Sequence, residues 1–225
     1  MNKYIALIVA EIKEMEAIKE IMVNIEEIKI YDLKMLKGEI NGKKYIAVRS
    51  GVGKVNAART TQILTDKFNL DYIINVGSAG ALNDNLNIGD IVVGKELIQH
   101  DFNVTAFGRE RGYIPEAGKV FKSDENLIKK SENIKMNNIK ITTGVIVSGD
   151  IFCTEIKMKE KIRKRFNADC CEMEGAAIAQ ICYLNKIPFI VIRSISDIPD
   201  GKNKIDFDKY LEVASKNCAE FIKQL

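Results

Sequence analysis

Apolar residues along this chain occur in two patterns, short continuous runs and longer stretches with a helical period. A run of four to eight apolar residues is too short for a helix and predicts a buried strand. The strands predicted from runs and alternation lie at 5–10, 27–37, 45–50, 72–76, 90–93, 97–99, 139–147, 169–173 and 189–193. Apolar positions three and four residues apart predict helices over 11–22, 54–68, 124–132, 155–166, 174–184 and 206–223.

The order of these elements predicts the fold class. Strands that alternate with helices favour an α/β fold, with a largely parallel sheet covered by helices. Asn41-Gly42 is the commonest two-residue hairpin signal, so we expect an antiparallel pair around it. Residues 101–119 contain glycines, a proline and aromatics without a periodic pattern, which predicts a long ordered loop with a functional role. Because no linker or repeat divides the chain, we expect a single domain over residues 1–225.

Composition and charge narrow the class of protein. The 225 residues are 46% hydrophobic and 29% charged, which is typical of a globular protein. The formal net charge of +3 favours neither nucleic acid nor an anionic membrane as a partner. No apolar run approaches the roughly 20 residues that a membrane-spanning helix needs. We therefore expect neither nucleic acid nor a membrane as a partner.

The N-terminal segment and the cysteines indicate in which compartment of the cell the protein is located. The apolar run at 5–10 ends in charged residues without a credible signal-peptide cleavage site, so we interpret it as a strand. The five cysteines form no C-x-x-C motif, which predicts reduced, buried thiols in a cytoplasmic protein. With His100 as the single histidine, we expect no metal site and no cofactor.

Polar and glycine-rich segments follow several predicted strands, and sites in α/β sheets form at the carboxyl ends of strands. Glu11 and Glu14 occupy neighbouring positions of a first helical turn, where an acidic start that complements the helix dipole is an equal alternative. The S-G-V-G-K segment at 50–54 lacks the spacing of a phosphate loop and indicates only a close backbone approach to a ligand or a helix. Residues 75–80, taken alone, favour a tight turn.

A stronger signal comes from two later segments. Extended geometry in E-M-E sends Glu172 and Glu174 to one side of the chain and Met173 to the other. The last predicted strand delivers Arg193 and Asp197 to its carboxyl end. An acidic pair, an arginine and a further aspartate at strand ends are hard to explain as solvated surface. These residues therefore favour a functional site.

Six segments of the chain form a recognisable set when they are taken together. They are S-G-V-G-K-V at 50–55, N-V-G-S-A-G at 75–80, H-D…V-T-A-F-G at 100–108, V-S-G-D at 147–150, E-M-E at 172–174 and R-S-I-S-D at 193–197. The set closely resembles the bacterial 5′-methylthioadenosine/S-adenosylhomocysteine nucleosidases of the nucleoside phosphorylase-like superfamily. The resemblance implies a three-layer αβα sandwich with a central mixed, mostly parallel twisted sheet. It also implies release of adenine from these two nucleosides, in methionine salvage.

The resemblance implies roles for individual residues around the scissile bond. Asp197 would protonate or hydrogen-bond N7 of the leaving adenine, and Ser196 would hold it in place. Glu14 would position and deprotonate the attacking water, with Arg193 and Ser78 nearby. In chemical terms, the acid removes anionic character from the purine, and general acid catalysis of this kind contributes about 10²–10⁴-fold. Carboxylates near the sugar stabilise its developing positive charge.

The resemblance also implies which residues bind the rest of the substrate. Glu174, beside Met173 and Glu172, would grip the ribose hydroxyls, Phe152 would stack on adenine, and the backbone around Cys153 would read its edge. The residues implied to line the 5′-alkylthio pocket are Val52, Met173 and Phe207. In the family a second subunit completes that pocket. A homodimer is therefore implied, with three loop residues reaching into the neighbouring subunit, namely Val104, Phe107 and Pro115.

Two other functions stay open beside hydrolysis. A phosphate-dependent purine nucleoside phosphorylase needs clustered arginines and free backbone N–H groups. Phosphate-using relatives have arginine just before the V-G-S turn, whereas this chain has Asn75 there and a carboxylate, Glu14, where phosphate would sit. A nucleoside-binding module without catalysis is the third hypothesis, and the intact set of Asp197, Glu14 and Glu174 argues against it.

The chain departs from the family pattern at one position of the site. Glu11 stands where the family usually has methionine, and only Glu14 keeps the catalytic register, so recognition of the alkylthio end is left open. For His100 we favour a structural role over catalysis. We interpret Cys170 and Cys171 as core residues, because no histidine base is available to activate them.

Overall fold

The computed structural model describes residues 3–200 and 203–225, without the side chains of 203–206. The strands of the described chain are β1 (Tyr4–Val9), β2 (Val23–Ile30), β3 (Leu33–Ile40), β4 (Lys43–Arg49), β5 (Leu70–Ala81), β6 (Ile91–Gln99), β7 (Phe121–Lys122), β8 (Ile141–Ser148), β9 (Cys170–Glu172) and β10 (Phe189–Asp197). Its helices are α1 (Ile12–Ile21), α2 (Lys54–Lys67), α3 (Glu125–Glu132), α4 (Ile156–Phe166), α5 (Gly175–Asn185) and α6 (Asn203–Gln224).

The strands form one mixed sheet in the order β10-β6-β8-β9-β5-β1-β4-β3-β2. β7 pairs with Glu96 and Leu97 of β6, and β10 also pairs with β5. Parallel pairs join β4 to β1, β1 to β5 and β5 to β10. The hairpins β2–β3 and β3–β4 are antiparallel, as is the pair β6–β10. The carboxyl ends of β4, β1, β5 and β10 therefore meet along one edge of the sheet.

Helices cover both faces of this sheet, and β1 shows how the sequence directs them. Successive side chains of a strand point to opposite faces, so a continuous apolar run is buried on both. Leu7 packs in one core cluster with Ile18 of α1 and Phe221 of α6. Ile8 packs in another with Leu64 of α2. The α/β class and the three-layer αβα arrangement with a mixed sheet are confirmed.

Four predicted boundaries are wrong, each for a local reason. The strand predicted at 27–37 is the hairpin β2–β3, whose turn uses a positive φ of 56° at Tyr31. The strands predicted at 90–93 and 97–99 are one strand, β6, in which a register shift between Gly94 and Glu96 breaks the apolar pattern. The two-residue strand β7 is too short to leave a pattern in the sequence.

The other two corrections bear on the site, because β5 and β10 are both longer than predicted. The turn predicted at 75–80 is wrong, since β5 stays extended through Ala81 and pairs with β10 as far as Gly80. Likewise β10 continues past Arg193 to Asp197. Small residues in β5 make space for side chains from neighbouring elements. A Cβ on Gly77 would lie 2.7 Å from Oε1 of Glu14 and would collide with the Arg193 guanidinium.

The remaining segments agree closely with the sequence patterns. Asn41 and Gly42 both have positive φ, 49° and 75°, as a two-residue hairpin turn requires. Residues 101–119 form the predicted loop, which contains a single short helical turn at Thr105–Phe107. Among the described residues, no helix is long and apolar enough to cross a membrane. α6 begins at Asn203, three residues before the predicted start at 206.

Candidate active site

A cavity opens at the sheet edge where the carboxyl ends of β1, β5 and β10 meet. Its empty volume is about 460 Å³, including the space open to solvent at its mouth, within the range of small-molecule sites. Its lining includes eleven of the residues expected to bind substrate or catalyse: Glu14, Val52, Ser78, Phe152, Glu172, Met173, Glu174, Arg193, Ser196, Asp197 and Phe207. The other lining residues are Ala10, Glu11, Ala79, Gly80 and Cys171. The segments far apart in sequence thus converge on one space.

The Glu14 carboxylate is held by four donors, two from the residues just before α1 and two from Ser78 in β5. One oxygen accepts hydrogen bonds from the backbone N–H groups of Ala10 and Glu11, at 2.9 and 3.0 Å. The other accepts from the N–H of Ser78 at 3.0 Å and from its hydroxyl at 3.3 Å. Only 4% of Glu14 is exposed. The side chain is therefore fixed in one orientation at the cavity wall.

Glu172 and Arg193 form a buried ion pair in the wall of the cavity. One Glu172 oxygen accepts from the hydroxyl of Ser148. The other accepts from the Arg193 guanidinium and from the backbone N–H groups of Glu174 and Gly175, at 2.9 and 2.7 Å for the last two. Both oxygens are thus occupied by protein donors. This bonding gives Glu172 a positioning role: it holds Arg193 and the first turn of α5.

Glu174 faces the cavity as the residue before α5. One of its oxygens accepts from the backbone N–H of Gly53 at 2.9 Å, and the other lies 3.6 Å from Arg193. Burial, and then the charge of Glu172, raise the pKa of Glu174 to about 7. The extended geometry predicted for E-M-E ends at Glu172, so Met173 lines the cavity together with both acids.

Asp197 lies at the last position of β10, next to β5. The register between these strands shifts between Ile195 and Asp197, a bulge of the kind that redirects a side chain. Ser196 donates a hydrogen bond to Oδ1 of Asp197 at 2.8 Å. A Cβ on Gly80 would lie 3.0 Å from Oδ2, so the small residue in β5 lets the carboxyl approach the strand. Asp197 is 1% exposed.

Two aromatic side chains also line the cavity. The rings of Phe152 and Phe207 lie edge to face, with centroids 5.6 Å apart and planes at 72°. Phe152 is 40% exposed, so one face is free for a planar ligand. Cys153 is not among the residues that line the cavity. Its thiol is buried and hydrogen-bonded to that of Cys171, which does line it.

The loop residues implied to reach into a partner lie outside the cavity of their own chain. Phe107 is 83% exposed and Pro115 is exposed, whereas Val104 is half-buried. None of the three appears in the cavity lining. Within the described part of the chain, no three metal-ligating side chains gather into a possible metal site.

A polar network lies beside the cavity. Its residues belong to motifs that the sequence analysis identified, but the contacts between them were not predicted. Lys54 Nζ lies 2.7 Å from Oδ1 of Asp101, and the backbone N–H of Lys54 donates to Asp150 at 2.8 Å. The N–H of Asp150 in turn donates to Asp101 at 3.0 Å. His100 is buried, and burial lowers its pKa; its ring packs against Gly149, where a Cβ would collide with it. The network ties three motif loops together.

Comparison with known proteins agrees with this geometry. The family model described as "Phosphorylase superfamily" matches residues 4–225. A Staphylococcus epidermidis protein named 5′-methylthioadenosine/S-adenosylhomocysteine nucleosidase is 40% identical over 223 residues, which are 98% of each chain. This chain belongs to that nucleosidase family. The family resemblance inferred from the six motifs is confirmed.

Solved structures of other nucleosidases have the same fold. The Neisseria meningitidis nucleosidase in complex with methylthio-immucillin-A is 38% identical, with a TM-score of 0.95 over 99% of this chain and 97% of that one. The Colwellia psychrerythraea nucleosidase in complex with adenine is 37% identical, with a TM-score of 0.95 over 100% and 94%. The nucleosidase fold therefore extends over the whole of this chain.

Proposed function

We propose that this nucleosidase hydrolyses the N-glycosidic bond of 5′-methylthioadenosine and S-adenosylhomocysteine, releasing adenine and the 5′-thio-substituted ribose. The observation that supports this most is the placing of Asp197 and Glu14 on one cavity. On β5, Asp197 lies against Gly80, and Glu14 is hydrogen-bonded to Ser78, two residues earlier in the strand and a rise of about 7 Å away. That separation leaves room for a ribosyl group between an acid at the base and an activated water at the sugar.

Asp197 is proposed as the general acid for the leaving adenine. Ser196 donates to Oδ1 and orients the carboxyl, and we infer that Oδ2 carries the proton toward N7 of the purine. Protonation at N7 turns a purine anion into a neutral leaving group as the glycosidic bond lengthens. As in inverting glycosidases, one carboxyl group protonates the leaving group and a second carboxylate activates the water.

Glu14 is proposed as the base that positions the attacking water. A carboxylate offers about four acceptor sites, and protein donors occupy all four. The contact from the Ser78 hydroxyl is the longest, 3.3 Å, and a hydroxyl can rotate. We infer that the hydroxyl turns away when water binds. Glu14 then accepts from that water and takes its proton as the bond to the sugar forms.

Glu174 is proposed to accept hydrogen bonds from the ribose hydroxyls. Gly53 occupies one oxygen, and the other is 3.6 Å from Arg193, longer than a hydrogen bond, so it can accept from a sugar hydroxyl. Negative charge at this place also stabilises the oxocarbenium-like sugar of the transition state. Phe152 supplies an exposed ring on which adenine can stack.

Charge in the cavity favours water over phosphate as the nucleophile. Arg193 is the one basic side chain among the described lining residues, and it is already paired with Glu172 and Glu174. A phosphate dianion would meet carboxylates and no free cation. The test is a chelator-treated, phosphate-free assay of adenine release from 5′-methylthioadenosine. We expect free 5-methylthioribose and a rate unchanged by added phosphate; a phosphorylated sugar would instead establish phosphorolysis.

We also propose that the protein acts as a cytoplasmic homodimer in methionine salvage. The exposed Phe107 and Pro115, with Val104 in the same loop, would complete the 5′-substituent pocket of the partner. Sedimentation equilibrium should give the mass of two chains. A monomer with full activity would contradict this arrangement.

A further inference from the structure

Glu11 lines the cavity but has no part in the proposed reaction. It is the half-buried residue before α1, and the Glu14 carboxylate accepts a hydrogen bond from its backbone N–H at 3.0 Å. The Glu11 side chain faces the backbone N–H of Glu14 in return, so the two residues form a capping box that holds the Glu11 carboxylate at the start of α1 and at the cavity wall. None of the ion pairs among the described residues includes Glu11. A carboxylate without a cation therefore borders the ligand space.

Strand order shows which end of a nucleoside Glu11 would meet. β5 lies between β10, which ends at Asp197, and β1, which precedes Glu11. β4, which precedes Val52, follows on the far side of β1. Neighbouring strands are about 4.8 Å apart, so β1 is about 10 Å from β10. A nucleoside with its base at Asp197 and its ribose near Glu14 therefore extends its 5′-substituent toward Glu11 and Val52.

The described lining of the cavity has more acidic than basic side chains. The acidic residues in the described lining are Glu11, Glu14, Glu172, Glu174 and Asp197, and Arg193 is the one basic residue among them. Arg193 is committed to Glu172 and Glu174. Attraction between charges is stronger in a partly desolvated cavity than in water. The charge of Glu11 therefore adds to the negative charge that a substituent at the 5′ end meets.

We propose that Glu11 is a specificity-determining residue that favours 5′-substituents with a protonated amine over neutral substituents, and neutral substituents over carboxylated ones. The inference rests on the proposed function, because only a substrate with its adenine at Asp197 brings the 5′-substituent to Glu11. The substituent of S-adenosylhomocysteine has both an ammonium and a carboxylate. Substituents with a single charge therefore test Glu11 more sharply.

The experiment compares kcat/KM for three 5′-alkylthioadenosines of matched length, with a terminal amine, a methyl group or a carboxylate, beside 5′-methylthioadenosine. For the wild type we expect the amine to exceed the neutral compound about tenfold, and the neutral compound to exceed the carboxylate about tenfold. Glu11→Gln should bring both ratios to within about twofold of one. Because the effect is electrostatic, high salt should reduce the wild-type ratios.

Matched variants separate Glu11 from general effects of charge. Glu16→Gln removes the same charge from an exposed position on α1 outside the cavity, and it should keep the wild-type ratios. Glu11→Met gives a second neutral variant. The wild-type ratios and their salt dependence test the inference even if a variant fails to fold. Equal wild-type rates for the three compounds, or unchanged ratios in Glu11→Gln, would overturn the inference while hydrolysis stands. No adenine release from any nucleoside would overturn both.

Discussion

The Ser196 hydroxyl donates a hydrogen bond to Oδ1 of Asp197 across 2.8 Å, and both residues are buried at the end of β10. The same hydroxyl lies 3.4 Å from the carbonyl oxygen of Ala79, so it is held between two acceptors on neighbouring strands. This contact fixes the rotation of the Asp197 carboxyl. The contact therefore orients the two oxygens of the carboxyl at the cavity wall.

Ser196→Ala should lower kcat about 10- to 100-fold and change KM less, because the Asp197 carboxyl loses a hydrogen bond that orients it for proton transfer. Steady-state kinetics with 5′-methylthioadenosine measure both parameters. Ser215→Ala is the control, since Ser215 is also buried but bonds to Leu211 within α6. A kcat equal to that of the wild type would show that Asp197 needs no such support.

Glu14→Gln should lower kcat about 10³-fold or more. Glutamine keeps the size of the side chain but cannot take a proton from water, and its amide group would oppose one of the four donors that face Glu14. Adenine release in single-turnover mixtures measures the chemical step. Glu20→Gln, an exposed position on the same helix, should be unaffected. Wild-type-like rates in Glu14→Gln would assign water activation to another group.

Glu172→Gln should lower the free energy of unfolding by about 3 kcal/mol, because it leaves the Arg193 guanidinium buried beside a single acid at 3.6 Å. Arg193 is 1% exposed and cannot turn to solvent. Urea denaturation measures the change, with Glu160→Gln as the control at an exposed site. A loss below about 1 kcal/mol, the size of a surface pair, would mean that Glu172 contributes little to holding Arg193.

Glu174 should make stability depend on pH. Burial and the charge of Glu172 raise its pKa from 4.5 to about 7, so the folded chain holds a proton that the unfolded chain releases. Its contribution to the free energy of unfolding is complete below about pH 4.5 and is lost as pH rises through 7. Glu174→Gln should remove this fall from urea titrations across that range. Parallel pH curves for the wild type and the variant would contradict the raised pKa.

Local patterns were sufficient for the fold class and for the residue types of the site. The continuous apolar run of β1 predicted burial on both faces, and the acids of E-M-E and R-S-I-S-D predicted a site at strand ends. Both depend on periodicity, which the sequence contains. The packing of Asp197 against β5 at Gly80 depends on the pairing of β5 with β10, which no local pattern records.

Long-range bonding explains what sequence patterns could not predict. Gly77 and its neighbours favoured a turn in isolation, yet they stay in the strand because β5 pairs with β10 as far as Gly80, and Glu14 and Arg193 fill the space above Gly77. Glu172 and Glu174 look alike in sequence. Only the donors that surround each, among them Ser148 for Glu172 and Gly53 for Glu174, distinguish an acid that holds the scaffold from one that faces the ligand.

Asp197→Asn tests the central claim most directly. Asparagine keeps the shape of the side chain but has no acidic proton to give to N7. We expect kcat for adenine release to fall about 10²–10⁴-fold, while calorimetry still detects binding of 5′-methylthioadenosine with a Kd close to the wild-type KM. Turnover within about tenfold of the wild type would contradict the role of Asp197 as the general acid.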